Sequence, residues 1–437
     1  MKFYRIKWTL FSAAFVVLSA CKPKEHKTEY SAGELDLSHF VAIGGTTTSG
    51  FMDDALYFEG QENSLGAILA QQFELVGGGT FHQPWVSTSS VGVNADNLAR
   101  FILDYKTDCL NVTSLSPVRK AMTGDATIFS ESLYDAAKPF GNYGIPGFYM
   151  AYAFSPAYSS QNNFFKRMAS STSATVLGDA LNSTPSFFSL YVGLDEVMKY
   201  AKAGGKNESL LTASQFQALY TPILDQVTST STQGIVSTLP DVTEMPYFTT
   251  IPYDGLNLDE ANAASLNAIY NPIGLSFVVG KNAFVIEDPS AGIFGVRQMV
   301  SGEKILLSVP LDSVKCNKMG SVFPFRDEFI LTMDEQNAIK NNTVLYNEYI
   351  IAKAAEKNLA LVRTDLFYQS LTSGILFNGI SLNTKFVSGG AYSLDGVNLN
   401  PRGNALLANE FIKAINAKYK SNIPTVDATL FRGIIFP

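Results

Sequence analysis

The polar residues of this chain that could do chemistry follow buried strands, at the points where the strands end. Thr46 comes directly after an apolar run at residues 40–43 and a glycine pair, a pattern typical of a buried strand that ends in a tight turn. Asp195 follows a second β-prone run, and Asp395 precedes Asn398 near the end of the chain. Open α/β folds place their chemistry at the carboxyl ends of the strands. These polar side chains are therefore candidate site residues.

The order of these motifs resembles that of the SGNH/GDSL hydrolases. Thr46 lies where block I of the family has its nucleophilic serine, and Gly147, in Tyr-Gly-Ile-Pro-Gly, lies where block II has an oxyanion-binding glycine. Asp195 takes the place of the block III asparagine, Asp395 that of the block V aspartate, and Asn398 that of the histidine. The resemblance implies a serine nucleophile, a histidine base oriented by an aspartate, and an oxyanion held by backbone and amide N–H groups.

The substitutions at these positions predict that the acyl-transfer site is degenerate. Thr46 keeps a hydroxyl, but its β-methyl group restricts the χ1 angle on the turn. Asn398 does not accept a proton near neutral pH, so it cannot replace a histidine base. Asp195 puts a carboxylate where a neutral donor should face the developing negative charge, and loss of one such donor costs roughly 3 kcal/mol. Asp395 is expected to cap the closing helix or to hydrogen-bond to Asn398. We expect the cleft to bind a glycan, a lipid or a partner protein.

Two other interpretations remain open. In the first, the protein is an active esterase or lipase that uses Thr46 or Ser49 as its nucleophile with a base from an insertion, and His82 is the histidine that could reach the site from a loop. In the second, carboxylates at strand ends bind a cation, although the chain has no Asp-x-Asp-x-Asp loop. The candidate ligands are Asp195, Glu196, Asp395 and Asp53. No cofactor is expected.

The resemblance implies an α/β fold with three α/β/α layers around a central, mostly parallel sheet, SGNH-hydrolase-like and flavodoxin-like. Helix starts are predicted by Asn63 or Ser64 as an N-cap, by a capping box at residues 332–335, and by Asn400 followed by Pro401. The segments 61–64 and 400–403 resemble a long, lipoprotein branch of the family.

A βαβ unit with parallel strands is predicted from residues 305–309, the helix after the capping box and residues 359–362. The stretch at about 206–303 is rich in Thr, Ser, Pro and Tyr and too long for a simple connection. We interpret it as a large insertion over the carboxyl edge of the sheet, either a lid or a surface for a partner.

Residues 1–21 have the pattern of a bacterial lipoprotein signal peptide. Three basic residues precede a short apolar run at residues 8–17, and small residues precede Cys21. The alternative is an ordinary signal peptide with a chance cysteine. We expect Cys21 to become the lipidated first residue of the mature chain, anchored by acyl chains such as palmitate that contribute about 0.8 kcal/mol per buried CH₂.

The rest of the chain is then predicted to be a tether at residues 22–38 and a folded domain at residues 39–437. The protein is expected in the cell envelope, lipid-anchored to a bacterial membrane, the outer membrane in our prediction, with its body in the periplasm or at the cell surface. No other stretch reaches eighteen uninterrupted apolar residues.

Composition is that of a globular protein with few charges. Of the 437 residues, 46% are hydrophobic and 16% charged, and the net charge of −7 without a long basic run argues against a nucleic-acid partner. In an exported protein Cys109 and Cys316 could form a disulfide, but two buried free thiols would fit the sequence as well.

Overall fold

The computed structural model of this protein describes residues 29–230 and 233–437. The predicted signal peptide, Cys21 and the first seven residues of the predicted tether lie outside these ranges. No helix within the described ranges is both long and apolar enough to cross a membrane.

A five-stranded parallel sheet forms the centre of the described chain. Its strands are β1 (Phe40–Gly44), β2 (Asn142–Gly144), β3 (Phe187–Tyr191), β4 (Gln233–Ser237) and β5 (Ala360–Val362). Their spatial order is β5-β4-β3-β1-β2, which is the flavodoxin-like order, and the order reverses beside β1. The predicted α/β class with a central parallel sheet is confirmed.

Helices pack on both faces of this sheet. The longer helices and those next to strand ends are α1 (Thr46–Ser49), α2 (Leu65–Glu74), α3 (Val176–Asn182), α4 (Leu194–Lys202), α5 (Ala213–Thr230), α6 (Met333–Glu356), α7 (Thr364–Ser373) and α8 (Pro401–Tyr419). Helices α2 and α8 contact each other in one layer, while α3, α5 and α6 form the other. Three layers result, with the apolar core between them.

The predicted helix starts are confirmed because capping depends on local hydrogen bonds. Ser64 caps α2 with its hydroxyl. Thr332 and Glu335 form a reciprocal capping box at the start of α6. Asn400 caps α8 by accepting the N–H of Gly403 at 3.0 Å, and Pro401 occupies the first helical position.

The predicted βαβ unit is wrong in its first strand. Only Lys304–Ile305 is extended there, and it pairs antiparallel with Ile330–Leu331 outside the central sheet. The parallel neighbour of β5 is β4, which lies inside the stretch predicted as an insertion. The strand at 304–305 is buried because Ile305 belongs to a separate small core with Phe284 and Phe325. Because of this burial, the segment has the apolar sequence expected of a strand in the central sheet, although it lies outside that sheet.

The inserted region of the structure therefore lies between β4 and α6, later than the predicted 206–303, because α5 and β4 belong to the main body. It contains the helix Glu260–Tyr270, two small antiparallel pairs besides the one at 304–305, and two apolar clusters of its own. The two pairs are Leu256–Leu258 with Gly280–Asn282, and Val285–Glu287 with Val296–Gln298.

A disulfide joins this inserted region to a hairpin that precedes β2. The hairpin strands are Phe101–Thr107 and Thr113–Arg119, and Cys109 in their loop is bonded to Cys316, 207 positions away in the sequence. Two ion pairs flank the bond, Lys106 with Asp312 at 3.1 Å and Lys315 with Asp108 at 2.7 Å. Of the two alternatives for the cysteines, the structure has the disulfide.

The described part of the predicted tether, residues 29–38, is packed against the domain. Ser31 forms an antiparallel bridge with Asn422, and the N–H of Glu34 donates to the carbonyl of Tyr419 at 3.1 Å. Leu35 and Leu37 are buried in the main core. The prediction of a free tether over the whole of 22–38 is therefore corrected, because these contacts anchor its second half to the end of α8.

Candidate functional site

A cavity of about 470 Å³ lies at the carboxyl ends of β1 and β3, beside the point where the strand order reverses. Thr46, Gly147, Asp195, Asp395 and Asn398 all line it. The structure thus brings the five predicted site residues to one cavity, although they come from four separate parts of the sequence. Parallel strands end at the same edge of a sheet, which explains why these loops meet.

Thr46 begins α1 and is hydrogen-bonded to Asp195 through two of its groups. Its hydroxyl donates to Oδ1 of Asp195, and its backbone N–H donates to Oδ2 at 3.1 Å. The N–H of Gly147 in turn donates to the Thr46 hydroxyl oxygen at 3.2 Å. A Cβ atom on Gly45 would lie 1.7 Å from Oδ2 of Asp195, so glycine is required there for the carboxylate to approach.

Asp195 lies in the first turn of α4, whose N-cap residue Gly193 has a φ of +97°. Burial raises the pKa of Asp195 to about 6, while the hydrogen bonds from Thr46 and the charge of Lys202 oppose this rise. The carboxylate is therefore mostly ionised at neutral pH, next to the positive end of the helix dipole. The site carries a negative charge of its own.

Glu196, the neighbour of Asp195, has an incomplete set of hydrogen bonds. Its Oε1 accepts the N–H of Met150 at 2.5 Å, but its buried Oε2 has no hydrogen-bond partner. Burial raises the pKa of Glu196 to about 7, and the charge of Asp195 contributes to the rise. Two adjacent carboxyl groups thus titrate between slightly acidic and neutral pH.

Asp395 holds the loop before α8 and is not available to orient a base. Its Oδ1 accepts the N–H groups of Val397 and Asn398, both at 2.8 Å. Its Oδ2 accepts the side-chain amide of Asn398 at 2.9 Å and the N–H of Asp54 at 3.1 Å. The expected hydrogen bond between Asp395 and Asn398 is present, and four donors surround the carboxylate.

The residues required by the active-esterase interpretation are not assembled in the described chain. Neither His39 nor His82 lines the cavity. Ser49 is 3% exposed, and its hydroxyl donates to the carbonyl of Thr46 at 2.7 Å, so it does not face the cavity. Met245 is the residue of the predicted insertion 206–303 that lines the cavity, and a methionine cannot act as a base.

The cation interpretation also lacks support within residues 29–230 and 233–437. They contain no group of three or more His, Cys, Asp or Glu side chains that could hold a metal ion. The carboxylate of Asp53 is turned toward the Tyr57 hydroxyl at 2.6 Å and the N–H of Leu394 at 2.8 Å. Asp53 therefore serves the packing of the loop.

Sequence reasoning did not find most of the cavity wall. The missed apolar and aromatic residues are Phe51, Tyr149, Phe164, Met198, Met245, Tyr368 and Val397. Lys199 and Lys202 also line the cavity, Lys199 paired with Glu208 at 2.7 Å and the Lys202 ammonium 5.5 Å from the Tyr247 ring centroid. The spacing of Met198, Lys199 and Lys202 from Asp195 puts them on one helix face, which was an available signal.

Comparisons with known proteins find a distant structural likeness and no family. No protein-family model matches the chain, and no curated protein matches it. Among solved structures, it is similar to LAE5, an α/β hydrolase enzyme from the metagenome of Lake Arreo, Spain. The identity is 10% and the TM-score 0.36, over 88% of this chain and 97% of that chain. A likeness this distant carries no argument about the site.

Proposed function

We propose that this protein is a membrane-anchored lipoprotein with an SGNH/GDSL-hydrolase-like fold, in which the former acyl-transfer site has become a binding site. The flavodoxin-like strand order and the meeting of the strand-end motifs at one cavity support the family part of the proposal. The arrangement within the cavity supports the loss of catalysis.

The observation that carries the proposal is the position of the Asp195 carboxylate. In acyl transfer, the N–H of the nucleophilic residue and a nearby glycine N–H stabilise the oxyanion. Here the N–H of Thr46 donates to Asp195, and the N–H of Gly147 donates to the Thr46 hydroxyl. An oxyanion at this place would meet a carboxylate and would find both donors occupied. Loss of one such donor alone costs roughly 3 kcal/mol.

Within the described chain, no histidine lines the cavity to take the place of the family base. Asn398, at that position, is bonded through its amide to Asp395. In another serine hydrolase, loss of the nucleophile or the base lowers turnover about a millionfold, which is near 8 kcal/mol. No described histidine in the cavity wall compensates for this loss.

The cavity is suited to a small ligand with both apolar and polar parts. Its volume lies within the range of small-molecule sites. Phe51, Phe164 and Tyr368 offer apolar and aromatic surface, while Thr46 and Lys202 offer polar contacts. These features fit a sugar unit, a lipid fragment or a side chain of a partner protein.

The location of residue 29 gives the anchored protein an orientation. Residues 29–38 pack against the carboxyl end of α8, at the amino edge of the sheet, while the cavity opens at the carboxyl edge. An acyl anchor on Cys21 would thus leave the cavity turned away from the bilayer. In the proposed arrangement the ligand reaches the cavity from the aqueous phase or from a facing surface.

A second candidate function is an esterase in which Asp195 is the base and Thr46 the nucleophile. The hydrogen bond from the Thr46 hydroxyl to Asp195 is the observation that favours it, because a nucleophile and its base must be in such contact. The same carboxylate, however, accepts the backbone N–H of Thr46, which an oxyanion would need as a donor. The binding role therefore has the stronger support.

The two candidates are separated by assays of the purified body from residue 22 onward. We expect no turnover of p-nitrophenyl esters of short and medium acyl chains, and no labelling by a fluorophosphonate probe. Ester cleavage that Thr46→Ala abolishes, or a probe adduct on Thr46, would establish the esterase instead. Incorporation of an alkyne-palmitate label into the full chain, absent in Cys21→Ser, tests the anchor separately.

A further inference from the structure

A second cavity, of about 300 Å³, lies behind the wall of the first. It is formed by the hairpin strand Phe101–Thr107, the segment 432–437 and the turn that contains Asp53 and Asp54. The two cavities share no lining residue: Asp54 lines the first and Asp53 the second. Both residues have positive φ values, 53° and 57°, so this turn is held in an uncommon backbone conformation between the two cavities.

Two arginines, Arg100 and Arg432, line the second cavity and contact the same tyrosine. The Cζ atom of Arg100 lies 4.3 Å from the ring centroid of Tyr57. Nη2 of Arg432 donates to the Tyr57 hydroxyl at 3.3 Å. Because Tyr57 is fully buried, it holds both guanidinium groups on a fixed platform.

The two guanidinium groups have donors without partners. Nη1 of Arg100 is paired with Glu59 at 2.8 Å, but its buried Nε has no hydrogen-bond partner. Within the described residues, the side chain of Arg432 makes one hydrogen bond, to the neutral hydroxyl of Tyr57, and forms no ion pair. Buried polar atoms are normally satisfied, so the buried Nε of Arg100 lacks a partner that it would be expected to have, whereas the half-buried Arg432 has N–H groups open to a ligand.

Three carboxylates, those of Asp53, Glu59 and Asp104, also line this cavity, and the charge of Arg432 acts on Asp53 without a direct hydrogen bond between them. Glu59 already bonds to Arg100. Asp53 accepts the Tyr57 hydroxyl and the N–H of Leu394, and burial raises its pKa. Asp104 accepts the N–H of Tyr105 at 2.7 Å. The open donors are therefore on the arginines, whose planar fork suits a carboxylate or a phosphate.

The remaining wall of the second cavity is largely apolar. Phe101, Leu103 and Leu394 form one side, and Ile434 and Phe436 form another. An inorganic anion would leave this surface in contact with water, whereas an apolar tail would cover it. A ligand that fits this cavity therefore needs an apolar part for the wall and an anionic part for the arginines.

We propose that this second cavity binds a small amphipathic anion, with its oxyanion head on Arg100 and Arg432 and its short apolar tail against Phe101 and Phe436. The head is a carboxylate or a phosphate, since both have oxygen atoms that match the arginine fork. This site is independent of the proposed role of the first cavity.

The test is calorimetric titration of the full-length protein with octanoate, octyl phosphate and octanol. We expect at least one of the two anions to bind, and octanol to bind at least about tenfold more weakly, because hydrogen bonds to charged groups contribute about 1.5–3 kcal/mol. The stronger of the two anions identifies the head group. Equal binding of octanol, or no binding of either anion, overturns the proposal.

Variants locate the site. Arg432→Gln should weaken anion binding at least about tenfold. Arg432→Lys keeps the charge but not the planar guanidinium, so its affinity should lie between those of the unaltered protein and Arg432→Gln. Arg363→Gln, a change at an exposed arginine outside both cavities, is the matched control and should bind like the unaltered protein. Asp195→Asn reports on the first cavity and should leave octanoate binding unchanged. Full binding by folded Arg432→Gln, or loss in Asp195→Asn alone, refutes the assignment.

Discussion

The carboxylate of Asp195 accepts hydrogen bonds from both the backbone N–H and the hydroxyl of Thr46. These two residues lie 149 positions apart and come from the ends of β1 and β3, which are neighbouring strands. The carboxylate behaves as an internal ligand of the turn that follows β1. Its hydrogen bonds fix the conformation of that turn, and the carboxylate occupies the place where a reacting oxyanion would need the amide.

Removal of this charge should stabilise the protein at alkaline pH. The pKa of Asp195 in the folded protein, about 6, is higher than its ordinary value of 3.8, so the fold binds the proton more tightly than the unfolded chain does. The resulting stabilisation is complete below pH 3.8 and is lost as the pH rises through about 6. Asp195→Asn should thus raise the free energy of unfolding by about 1–3 kcal/mol at pH 8 and change it little at pH 4.

Urea unfolding followed between pH 4 and pH 8 measures this difference. Asp96→Asn is the control, because Asp96 lines the same cavity but is exposed. A stability gain of the same size at both ends of the range, or a loss at pH 8, would contradict the assigned titration of Asp195.

The proposed relation to the SGNH/GDSL hydrolases predicts that Ser, Asn and His at positions 46, 195 and 398 produce ester hydrolysis. In the triple variant Thr46→Ser, Asp195→Asn, Asn398→His, a serine faces the cavity, a neutral amide replaces the internal carboxylate, and an imidazole lies next to Asp395. We expect hydrolysis of p-nitrophenyl acetate at least about 10²-fold above the background rate without enzyme, because a single oxyanion donor is worth about 10²–10³ in rate.

Steady-state kinetics give the comparison, and the matched control is the same variant with Ala at position 46, which should be inactive. If the triple variant folds, as judged by circular dichroism and melting temperature, and still shows no turnover above this control, the cavity is not a former acyl-transfer site of this kind.

The disulfide should contribute strongly to stability, because it links Cys109 in the hairpin loop to Cys316 in the inserted region across 207 positions. Replacing both cysteines by serine should lower the free energy of unfolding by about 2–5 kcal/mol. Urea midpoints of the oxidised protein, the reduced protein and the double variant provide the measurement. The reduced protein and the variant should agree, and an unchanged midpoint in both would be evidence against the linkage.

Local signals in the sequence predicted a large part of the fold. The apolar run before Thr46, the caps at Ser64, Thr332 and Asn400, and the β-prone run before Asp195 all correspond to elements of the structure. Each depends on side chains and backbone groups a few positions apart, so the residues that form the signal also form the contact. Thr46, Gly147 and Asp195 could be placed after strands of the sheet for the same reason, whereas Asp395 and Asn398 lie in the loop before α8.

Only the tertiary structure decided which of these residues touch. The sequence could not show that Asp195 accepts from Thr46, that β4 lies between β3 and β5, or that Arg100 and Arg432 meet at Tyr57. These contacts depend on strand order and on the packing of segments far apart in the chain. Residue types by themselves predicted that no histidine base and no serine nucleophile occupy the positions of Asn398 and Thr46. The tertiary structure determined that the carboxylate of Asp195 accepts the backbone N–H of Thr46, the amide that would otherwise face an oxyanion.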